Sequence, residues 1–510
     1  MTDAASPLET ELRFAVPPEA RDALERHPAF RDPRKVEDRH EVTTYFDTPD
    51  QTLARNGVSL RVRRVGDTSV QTVKLAGAQS GVAAARGEWE WPIAGDSPEL
   101  VPLAGTPASA LLNDGLGDRL RPFFVTDIRR RTLLVQPADG SLVEAALGEG
   151  EVRAGDASES VSELELELKQ GPPGPLYSLA LDLAASAPLA IEPESKAERG
   201  LRLATGAAPP VHKAEDMDLN GGLTGAAAAQ AIVDAALGHL LANVPAARAG
   251  RHEGVHQVRV AIRRLRAALR LLQPCLERRA YRRFDGALRR LGQILGEARD
   301  WDVFALETLP EAEQDAPGAD HVRLLGAAAA AHRDAAHSAV RTELAGAGFT
   351  GLVLGLAAWV DEGAAAPALL GDTMLERRVE TIAPDLLDRL ADTVARRGRH
   401  LGRASGEELH RLRKALKKLR YGVEFLEGLY KHRSVRAYLH PCKALQEQLG
   451  AVNDAAMTGH LAERLAADGT AGLAVAVAAL AAWGGARGET AVAQVPKLWK
   501  AFTAEPRPWG

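Results

Sequence analysis

Residues 162–169 read Ser-Glu-Leu-Glu-Leu-Glu-Leu-Lys, an uninterrupted alternation of polar and apolar side chains. Successive side chains of a β-strand point to opposite faces of a sheet, so this stretch predicts a strand with one acidic face and one leucine face. The stretches 59–63 and 88–91 alternate in the same way, and turn sequences rich in Gly, Pro, Asn and Asp separate such runs. We therefore predict that residues 1–206 are mostly β-structure.

The polar faces of these predicted strands carry both signs of charge. The sets that share a strand face are Glu9, Glu11 and Arg13; Arg61 and Arg63; Glu88 and Glu90; Arg129 and Arg131; and Glu163, Glu165 and Glu167. An ordinary antiparallel sheet with its charged face in water explains the alternation. A closed barrel explains it too, since interior carboxylates would hold a divalent cation and interior guanidinium groups would hold an anion. The alternation alone leaves both interpretations open.

The chain changes character from about residue 221. It becomes rich in Ala, Leu and Arg, and its apolar residues recur at spacings of three and four, which predicts helices throughout. The stretch 207–220 directly follows Gly206, contains two consecutive prolines and is predicted to be a linker. The resulting fold class is α+β, with a β-domain at 1–206 and an all-α domain at 221–510.

The helical half contains an internal repeat with an offset of 154 residues, from position 256 to position 410. Residues 255–266 read Val-His-Gln-Val-Arg-Val-Ala-Ile-Arg-Arg-Leu-Arg, and residues 409–420 read Leu-His-Arg-Leu-Arg-Lys-Ala-Leu-Lys-Lys-Leu-Arg. The same offset relates Arg289 to Lys443. This period is far longer than that of solenoid repeats, so two copies of one helical bundle are predicted.

Each copy begins with a helix that carries a basic row beside its apolar row. In the first copy the basic row consists of His256, Arg259, Arg263, Arg266 and Arg270, at helical spacing and one residue after the apolar stripe. No acidic residue lies between Arg259 and Arg270. Like charges at this spacing repel one another, so the row predicts a bound anion in preference to a solvated face.

The kind of anion follows from what accompanies the basic rows. Proteins that bind single-stranded nucleic acid interleave aromatic residues for base stacking, whereas aromatic residues make up 5% of this chain. A membrane-surface helix would use its apolar side chains to enter the lipid, but here the apolar row is needed for the bundle core. A flexible linear polyanion therefore fits the duplicated basic rows better than nucleic acid or a membrane.

Composition excludes several other classes. The chain has 510 residues with 63 Lys and Arg against 68 Asp and Glu, a net charge of −5, and 45% hydrophobic residues, which excludes a disordered protein. Its two cysteines cannot form a disulfide framework. We expect no membrane-spanning helix and no secretory signal, so the predicted location is the cytoplasm. Oligomeric state is not predicted.

The N-terminal half resembles the CYTH domain, a branch of the triphosphate tunnel metalloenzymes. The motifs that carry the resemblance are Glu9-Thr-Glu-Leu-Arg13, Tyr45-Phe-Asp-Thr48, Leu60-Arg-Val-Arg63, Lys74, Arg86-Gly-Glu-Trp-Glu-Trp91, the stretch 163–169 and Ser195-Lys-Ala-Glu-Arg-Gly200. The resemblance implies an eight-stranded antiparallel tunnel that binds triphosphates with Mg²⁺ or Mn²⁺. It also implies hydrolysis by metal-assisted attack of water on a terminal phosphoryl group.

The same resemblance implies roles for individual residues. The implied catalytic residues are Glu9, Glu11 and Arg13, and the implied metal ligands are Glu9, Glu11, Glu163, Glu165 and Glu167. The implied phosphate-binding residues of the tunnel are Arg61, Arg63, Lys74, Arg129, Arg131 and Lys196. Two positions depart from the family pattern: Arg13 stands in place of a lysine, and Gly148 stands where relatives usually carry an acidic residue.

These departures give two hypotheses. In the first, the protein is a metal-dependent triphosphatase that its helical half brings to polyphosphate. In the second, the tunnel is inactive and the protein only binds polyphosphate. Adenylate cyclase activity ranks below both, because no residue set in the sequence specifies adenine.

The helical half, roughly 221–506, resembles the CHAD domain. The motifs are those at 256–266, Arg299-Asp-Trp-Asp-Val303, 410–421, and Leu445-Gln-Glu-Gln-Leu-Gly450 followed by Asn453 and Asp454. The resemblance implies two four-helix bundles around a basic surface that binds inorganic polyphosphate, and association with polyphosphate granules. The residues expected to bind it are His256, Arg259, Arg263, Arg264, Arg266, Arg289, His410, Arg413, Lys414, Lys417, Lys418, Arg420 and Lys443. We expect Asp300 and Asp454 to pair with these basic helices and orient them.

Overall fold

The computed structural model describes residues 10–75, 82, 87–217, 219–316, 319–365, 373–467 and 473–510. The chain divides into two compact units. The first comprises Met1–Val211, Val244–Ala249 and Glu343–Asp361, and the second comprises His212–Asn243, Gly250–Thr342 and Glu362–Gly510. The protein is α+β, with an antiparallel sheet in the first unit and helices in the second, as the sequence predicts.

The first unit is built on one antiparallel sheet. Its strands are β1 (Thr10–Ala15), β2 (Lys35–Asp47), β3 (Val58–Val65), β4 (Thr68–Leu75), β5 (Glu88–Ile93), β6 (Arg121–Val135), β7 (Leu142–Ala154), β8 (Ala157–Gln170) and β9 (Ala190–Ile191). Their order in the sheet is β5-β4-β3-β2-β6-β7-β8-β1-β9. The count is nine instead of the expected eight, because the two-residue β9 pairs with β1. Among the described residues no strand pairing joins β5 to β1 or β9, so no backbone ladder closes a tunnel there.

The helices complete both units. In chain order they are α1 (Pro18–Glu25), α2 (Thr52–Arg55), α3 (Leu116–Arg119), α4 (Gly174–Ser186), α5 (Lys196–Thr205), α6 (Gly225–Ala242), α7 (Val244–Arg248), α8 (His252–Leu272), α9 (Arg278–Val303), α10 (Leu309–Asp315), α11 (Ala319–Val322), α12 (Gly326–Leu344), α13 (Ala347–Ala365), α14 (Val379–Arg397), α15 (Gly406–Phe425), α16 (His432–Ala467) and α17 (Leu473–Ala504). Short 3₁₀ turns connect several of them.

Helix α5 lies on the sheet and carries one of the predicted site residues at its first position. Ser195 caps its N-terminus: the hydroxyl accepts from the Glu198 N–H, and the Glu198 carboxylate accepts from the Ser195 N–H at 2.7 Å. At Gly200 the helix approaches the sheet so closely that a Cβ would lie 2.2 Å from the ring of Phe124. The cap and this close approach together position Lys196 against the sheet.

The second unit contains the predicted repeat. Helices α6, α8 and α9 begin at residues 225, 252 and 278, and α14, α15 and α16 begin 154 residues later, at 379, 406 and 432. In each copy the first helix packs on the second and the second packs on the third. Helix α8 of the first copy also packs on α15 of the second. The internal repeat is therefore confirmed, and the two basic helices are neighbours.

Two helical segments belong to the sheet unit, which the predicted contiguous division of the chain does not anticipate. The hydroxyl of Thr350 on α13 accepts a hydrogen bond from the Ile191 N–H at 2.9 Å. The guanidinium group of Arg248, at the end of α7, donates to the carbonyls of Ile191 at 3.1 Å and Leu344 at 2.7 Å. These bonds satisfy backbone groups of β9 that would otherwise be unpaired at the sheet edge.

One stretch of the described chain, Gly225–Arg248, is long and apolar enough to span a membrane, although no such helix is expected from the sequence. It is rich in alanine, and 56% of its apolar window is buried inside the fold. The bent pair Arg323–Leu344 and Ala347–Asp361 passes the same test if it is counted as one span. Buried core helices pass this test as well, so it is weak support for a membrane span.

Replacing Gly200 by alanine tests how α5 is held. The added Cβ must displace the ring of Phe124 or the helix itself, so we expect a loss of about 1–3 kcal/mol in the free energy of unfolding, measured by urea titration. The control is Gly95→Ala, because a Cβ there meets no atom within 4 Å and should change stability by less than about 0.5 kcal/mol. Equal effects of the two substitutions would contradict this packing.

Candidate functional sites: a charged sheet face and a basic groove

The charged face of the sheet is formed by the alternate positions of β1 to β8 that carry Arg, Lys and Glu. On β3, β4 and β5 it brings predicted phosphate-binding residues next to acidic residues: Arg61 lies 3.3 Å and Lys74 2.9 Å from Glu88. Arg63 lies 3.1 Å from Glu90. The side chain of Arg61 is only 15% exposed. This face is therefore not an ordinary solvated surface, and the sheet interpretation with its charges in water is wrong here.

The strongest charge cluster on this face lies where α5 meets β6 and β8. The Lys196 ammonium group contacts the carboxylates of both Glu163 and Glu165, the latter at 2.7 Å. Arg130 on β6 forms an ion pair with Glu165 and lies 3.6 Å from Glu144. Two of the predicted metal ligands are thus already paired with cations of the same chain.

These pairings shift the ionisation of their members. Burial acts to raise the pKa of Glu165, but Lys196 and Arg130 hold it well below its usual range. Burial likewise acts to lower the pKa of Lys196, but Glu163 and Glu165 raise it above its usual value. Because each group stabilises the charged form of the other, Glu165 and Lys196 both stay ionised around neutral pH.

Strand β1 adds Glu11 and Arg13 to the same face. Arg13 lies opposite Glu165 in the strand register and donates to the carbonyl of Pro193 at 3.0 Å. Burial acts to lower the pKa of Arg13, but Glu11 and other nearby carboxylates raise it above its usual value. The guanidinium group is therefore held among acidic residues. Glu9 lies outside the described residues, so its role as a ligand and catalytic residue stays a prediction.

Two predicted tunnel residues point the other way. Arg129 and Arg131 are exposed, and it is Arg130, between them, that turns toward Glu165. Three consecutive arginines carry no alternation, so the sequence could not show which of them shares a face with the acidic residues. Arg130, and not Arg129 or Arg131, lies on the charged face with Glu165, and phosphate binding by Arg129 and Arg131 stays a prediction.

A divalent cation on this face would need carboxylate oxygens that are not already satisfied. Glu163 is 3% exposed, and its Oε2 has no hydrogen-bond partner among the described residues. Glu167 contacts Lys169 at 2.6 Å. A Cβ at Gly148 would lie 3.7 Å from Cγ of Glu163, so an acidic side chain at 148 could reach the same point.

Within the described ranges no group of three or more His, Cys, Asp or Glu side chains is arranged to hold a metal ion. The orphaned oxygen of Glu163 fits a cation ligand. Because residue 148 is glycine, no second carboxylate stands beside Glu163 at this position. The carboxylate oxygens present are of the type that a hard cation prefers, but they are fewer than such a cation needs.

The second unit contains a basic groove, a cavity of about 440 Å³ between the basic rows of α8 and α15. Nine of the thirteen residues predicted to bind polyphosphate line it: Arg259, Arg263, Arg266, Arg289, His410, Arg413, Lys414, Lys417 and Lys418. The sequence repeat alone could not show that the two rows face each other. They do so because the apolar rows beside them pack α8 on α15.

The groove cations repel one another. Burial, together with the guanidinium groups of Arg413 and Arg263, lowers the pKa of Lys417 to about 6. Burial and neighbouring arginines also lower the pKa values of Lys414 and Lys418. The buried Nε atoms of Arg263 and Arg413 have no hydrogen-bond partner among the described residues. The groove therefore holds donors and positive charge that the chain itself does not satisfy.

Asp300 and Asp454 lie at this groove, where the sequence predicts that they pair with the basic helices. The Asp300 carboxylate lies 3.9 Å from Arg259. Asp454 acts on Arg413 in the direction that raises its pKa, although burial dominates and lowers it. Asp285 also pairs with the groove residue Arg266, at 2.9 Å. Three carboxylates are too few to neutralise the basic side chains, so the groove keeps a positive charge.

Three of the other predicted residues lie away from the groove, around a single carboxylate. Arg420 lies 2.6 Å and Lys443 3.6 Å from Glu424. Arg264 is buried, with its guanidinium carbon 5.2 Å from the centre of the Phe425 ring. These three side chains do not line the groove and instead contact Glu424 or the Phe425 ring, and their role in polyphosphate binding stays a prediction.

His256 is not among the residues that line the groove either. Burial and the nearby charge of Arg299 lower its pKa to about 4, so it is neutral at physiological pH. Its buried Nδ1 has no hydrogen-bond partner among the described residues. Tyr421 and Gln293 also line the groove, and the basic pattern of the sequence does not predict them because neither is charged.

Comparison with known proteins supports both assignments. Family models of the CYTH domain and the CHAD domain match residues 7–201 and 231–463. An inorganic triphosphatase of Haemophilus influenzae is 29% identical over 196 residues, which are 38% of this chain and 54% of that protein. The chain thus matches about half the length of that relative. The crystal structure of the CHAD domain from the plant Ricinus communis aligns with a TM-score of 0.51 and 29% identity, covering 59% of this chain and 98% of that one.

The two family matches coincide with the two sites. The charged sheet face lies within the first match, and the basic groove lies within the second. Together the matches span most of the chain and do not overlap. The protein therefore contains a CYTH domain at residues 7–201 followed by a CHAD domain at residues 231–463.

Proposed function

We propose that the basic groove binds inorganic polyphosphate. The observation that carries this proposal is the cluster of nine basic residues around the groove, opposed by the carboxylates of Asp285, Asp300 and Asp454. A linear polyanion supplies one negative charge after another along such a cluster, and arginine forks match phosphate oxygens. The CHAD match supports the same ligand, since the CHAD domain is a polyphosphate-binding domain.

We further propose that the CYTH domain hydrolyses inorganic triphosphate or a related phosphoanhydride with Mg²⁺ or Mn²⁺. The CYTH match and the triphosphatase relative support triphosphatase activity, and members of this family depend on divalent metals. Glu163, Glu165, Glu9 and Glu11 would hold the metal, which would activate water and neutralise phosphate charge. Arg61, Arg63, Lys74 and Arg130 would hold the phosphate oxygens in exchange for their present carboxylate partners.

A second candidate is a non-catalytic polyphosphate-binding protein. Gly148 favours it, because the structure shows that an acidic side chain there would stand beside Glu163. The ion pairs of Lys196 with Glu163 and Glu165 favour it as well, since a metal would have to compete with a tethered ammonium group. In either case we propose a cytoplasmic protein that associates with polyphosphate granules.

Reversing charge in the groove should abolish polyphosphate retention. For Arg263→Glu with Lys417→Glu we expect at least about a 100-fold loss of affinity for long polyphosphate, because two charge-assisted contacts are lost. The control is Arg433→Glu with Arg436→Glu, two exposed residues of α16 outside the groove, which should bind within about twofold of wild type at a salt concentration that screens distant charges. Equal losses in the two variants would contradict the groove as the binding site.

Binding should be linked to proton uptake through Lys417, whose pKa is about 6 in the free protein. A bound anion raises this pKa, so a proton is taken up at pH 7–8, and affinity falls as the pH rises above 6. Calorimetry in two buffers of different ionisation enthalpy measures the uptake. Lys417→Arg should bind but take up less, because arginine is already charged. Unchanged uptake in that variant would refute the assignment to Lys417.

Phosphate release from inorganic triphosphate decides between the two candidates for the CYTH domain. If the domain is active, Glu163→Gln and Glu165→Gln should each lower kcat at least about 100-fold with Mg²⁺ or Mn²⁺, because each removes a charged metal ligand. Asp156→Asn, at an exposed turn, is the matched control and should keep full activity. No release by the wild type with either metal would favour the non-catalytic candidate.

A further inference from the structure

The sequence repeat predicts two equivalent ends for the basic groove, but the structure makes them different. The offset of 154 residues places Arg270 of α8 in the position that Glu424 occupies in α15. The first helices of the two copies also differ. Helix α14 ends with Arg396 and Arg397, whereas the corresponding positions near the end of α6 are Ala242 and Asn243.

One end of the groove continues as a basic surface, which we call the α14 end and define by Arg270, Lys418, Arg396 and Arg397. A small cavity of about 90 Å³, lined by Arg270, Lys418 and Arg397, shares Lys418 with the groove. A further cavity of about 270 Å³ shares Arg270 with the small one and is lined by Arg396. The three cavities therefore adjoin one another, from the central groove to the residues of α14.

Positive charge at the α14 end is not neutralised by the chain. Within the described residues no carboxylate lies within 4.0 Å of its four basic side chains. Asp285 acts on Lys418 in the direction that raises its pKa, but it forms an ion pair with Arg266 at 2.9 Å. Asp392 lines the outer cavity but forms an ion pair with Arg507 at 2.9 Å. Burial and neighbouring arginines lower the pKa of Arg397, a sign of repulsion without a compensating acid.

At the opposite end of the groove, which we call the Glu424 end, the basic residues already have partners within the chain. Glu424 pairs with Arg420 at 2.6 Å and lies 3.6 Å from Lys443. Arg264, which corresponds by the repeat to Lys418 of the α14 end, is buried against the Phe425 ring. The basic residues at this end are therefore already occupied, and a polyanion gains little by extending there.

We propose that the basic groove is a one-ended track, in which Arg270, Arg396 and Arg397 form a subsite for the phosphates of chains too long for the central groove. This proposal rests on the proposed binding of polyphosphate and adds a preference for long chains. The row from Arg259 to Arg270 spans eleven residues, or about 17 Å of helix at 1.5 Å per residue. A short oligophosphate can be held within the central part of this row, whereas a long chain continues onto α14.

The test compares linear phosphates of increasing length, from inorganic triphosphate to long polyphosphate, at several salt concentrations and without divalent metal. In Arg396→Gln with Arg397→Gln, affinity for long chains should fall about tenfold, and the slope of log affinity against log salt should fall by about 1.4, or about 0.7 for each lost phosphate contact. Affinity for the shortest chains should stay within twofold of wild type. Arg270→Glu, which copies the residue of the other end, should have the same length-selective effect.

Both variants change the net charge by two units, so Arg433→Gln with Arg436→Gln is the matched control, and it should match wild type at every length. If wild type binds no polyphosphate of any length, the proposed function itself fails. If wild type binds but the two variants keep its affinity and salt slope for long chains, the one-ended track is wrong. Equal losses for short and long chains would also overturn it, because they would place these arginines in the central groove.

Discussion

The packing of α8 against α15 is the constraint on which the binding account depends. Each helix buries an apolar row, and basic residues lie beside that row. When the apolar rows meet, the basic rows are brought to opposite walls of one groove. The pKa of Lys417, lowered to about 6, shows that this arrangement opposes full protonation in the absence of an anion. Hydrophobic packing of the apolar rows thus concentrates positive charge in the groove, and a polyanion can neutralise that charge.

The charged face of the sheet differs from the groove, because its charged side chains are already paired with one another. Here the chain supplies both signs, and Lys196 lies between Glu163 and Glu165 while Arg61 and Lys74 share Glu88. A metal and a phosphate chain must exchange partners with these groups instead of filling an unmet demand. Such an exchange loses internal ion pairs as it gains new ones, so binding there depends on geometry more than on net charge. A ligand binds to the groove by neutralising its excess positive charge, whereas a ligand of the sheet face must replace existing ion pairs.

Much of this was predictable from periodicity. Alternation in 162–169 correctly assigned a strand with an acidic face, and the offset of 154 residues correctly assigned two helical copies. The sequence did not predict which side chains face a site where the charge pattern was uniform or where one residue departed from the repeat. Because three arginines follow one another, the sequence does not show that Arg130 is the one that contacts Glu165. Arg420 and Lys443 contact Glu424 and do not line the groove, although the repeat aligns them with groove residues. The pairing of β9 with distant helical segments left no periodic signal at all.

The most direct measurement is the thermal unfolding of the whole protein at low salt, with and without long polyphosphate. If repulsion between α8 and α15 is the main unmet interaction, polyphosphate should raise the unfolding temperature of the helical unit, by mass action and by neutralising the groove. The increase should shrink as salt screens the charges. An unfolding temperature that polyphosphate leaves unchanged at low salt would contradict the account.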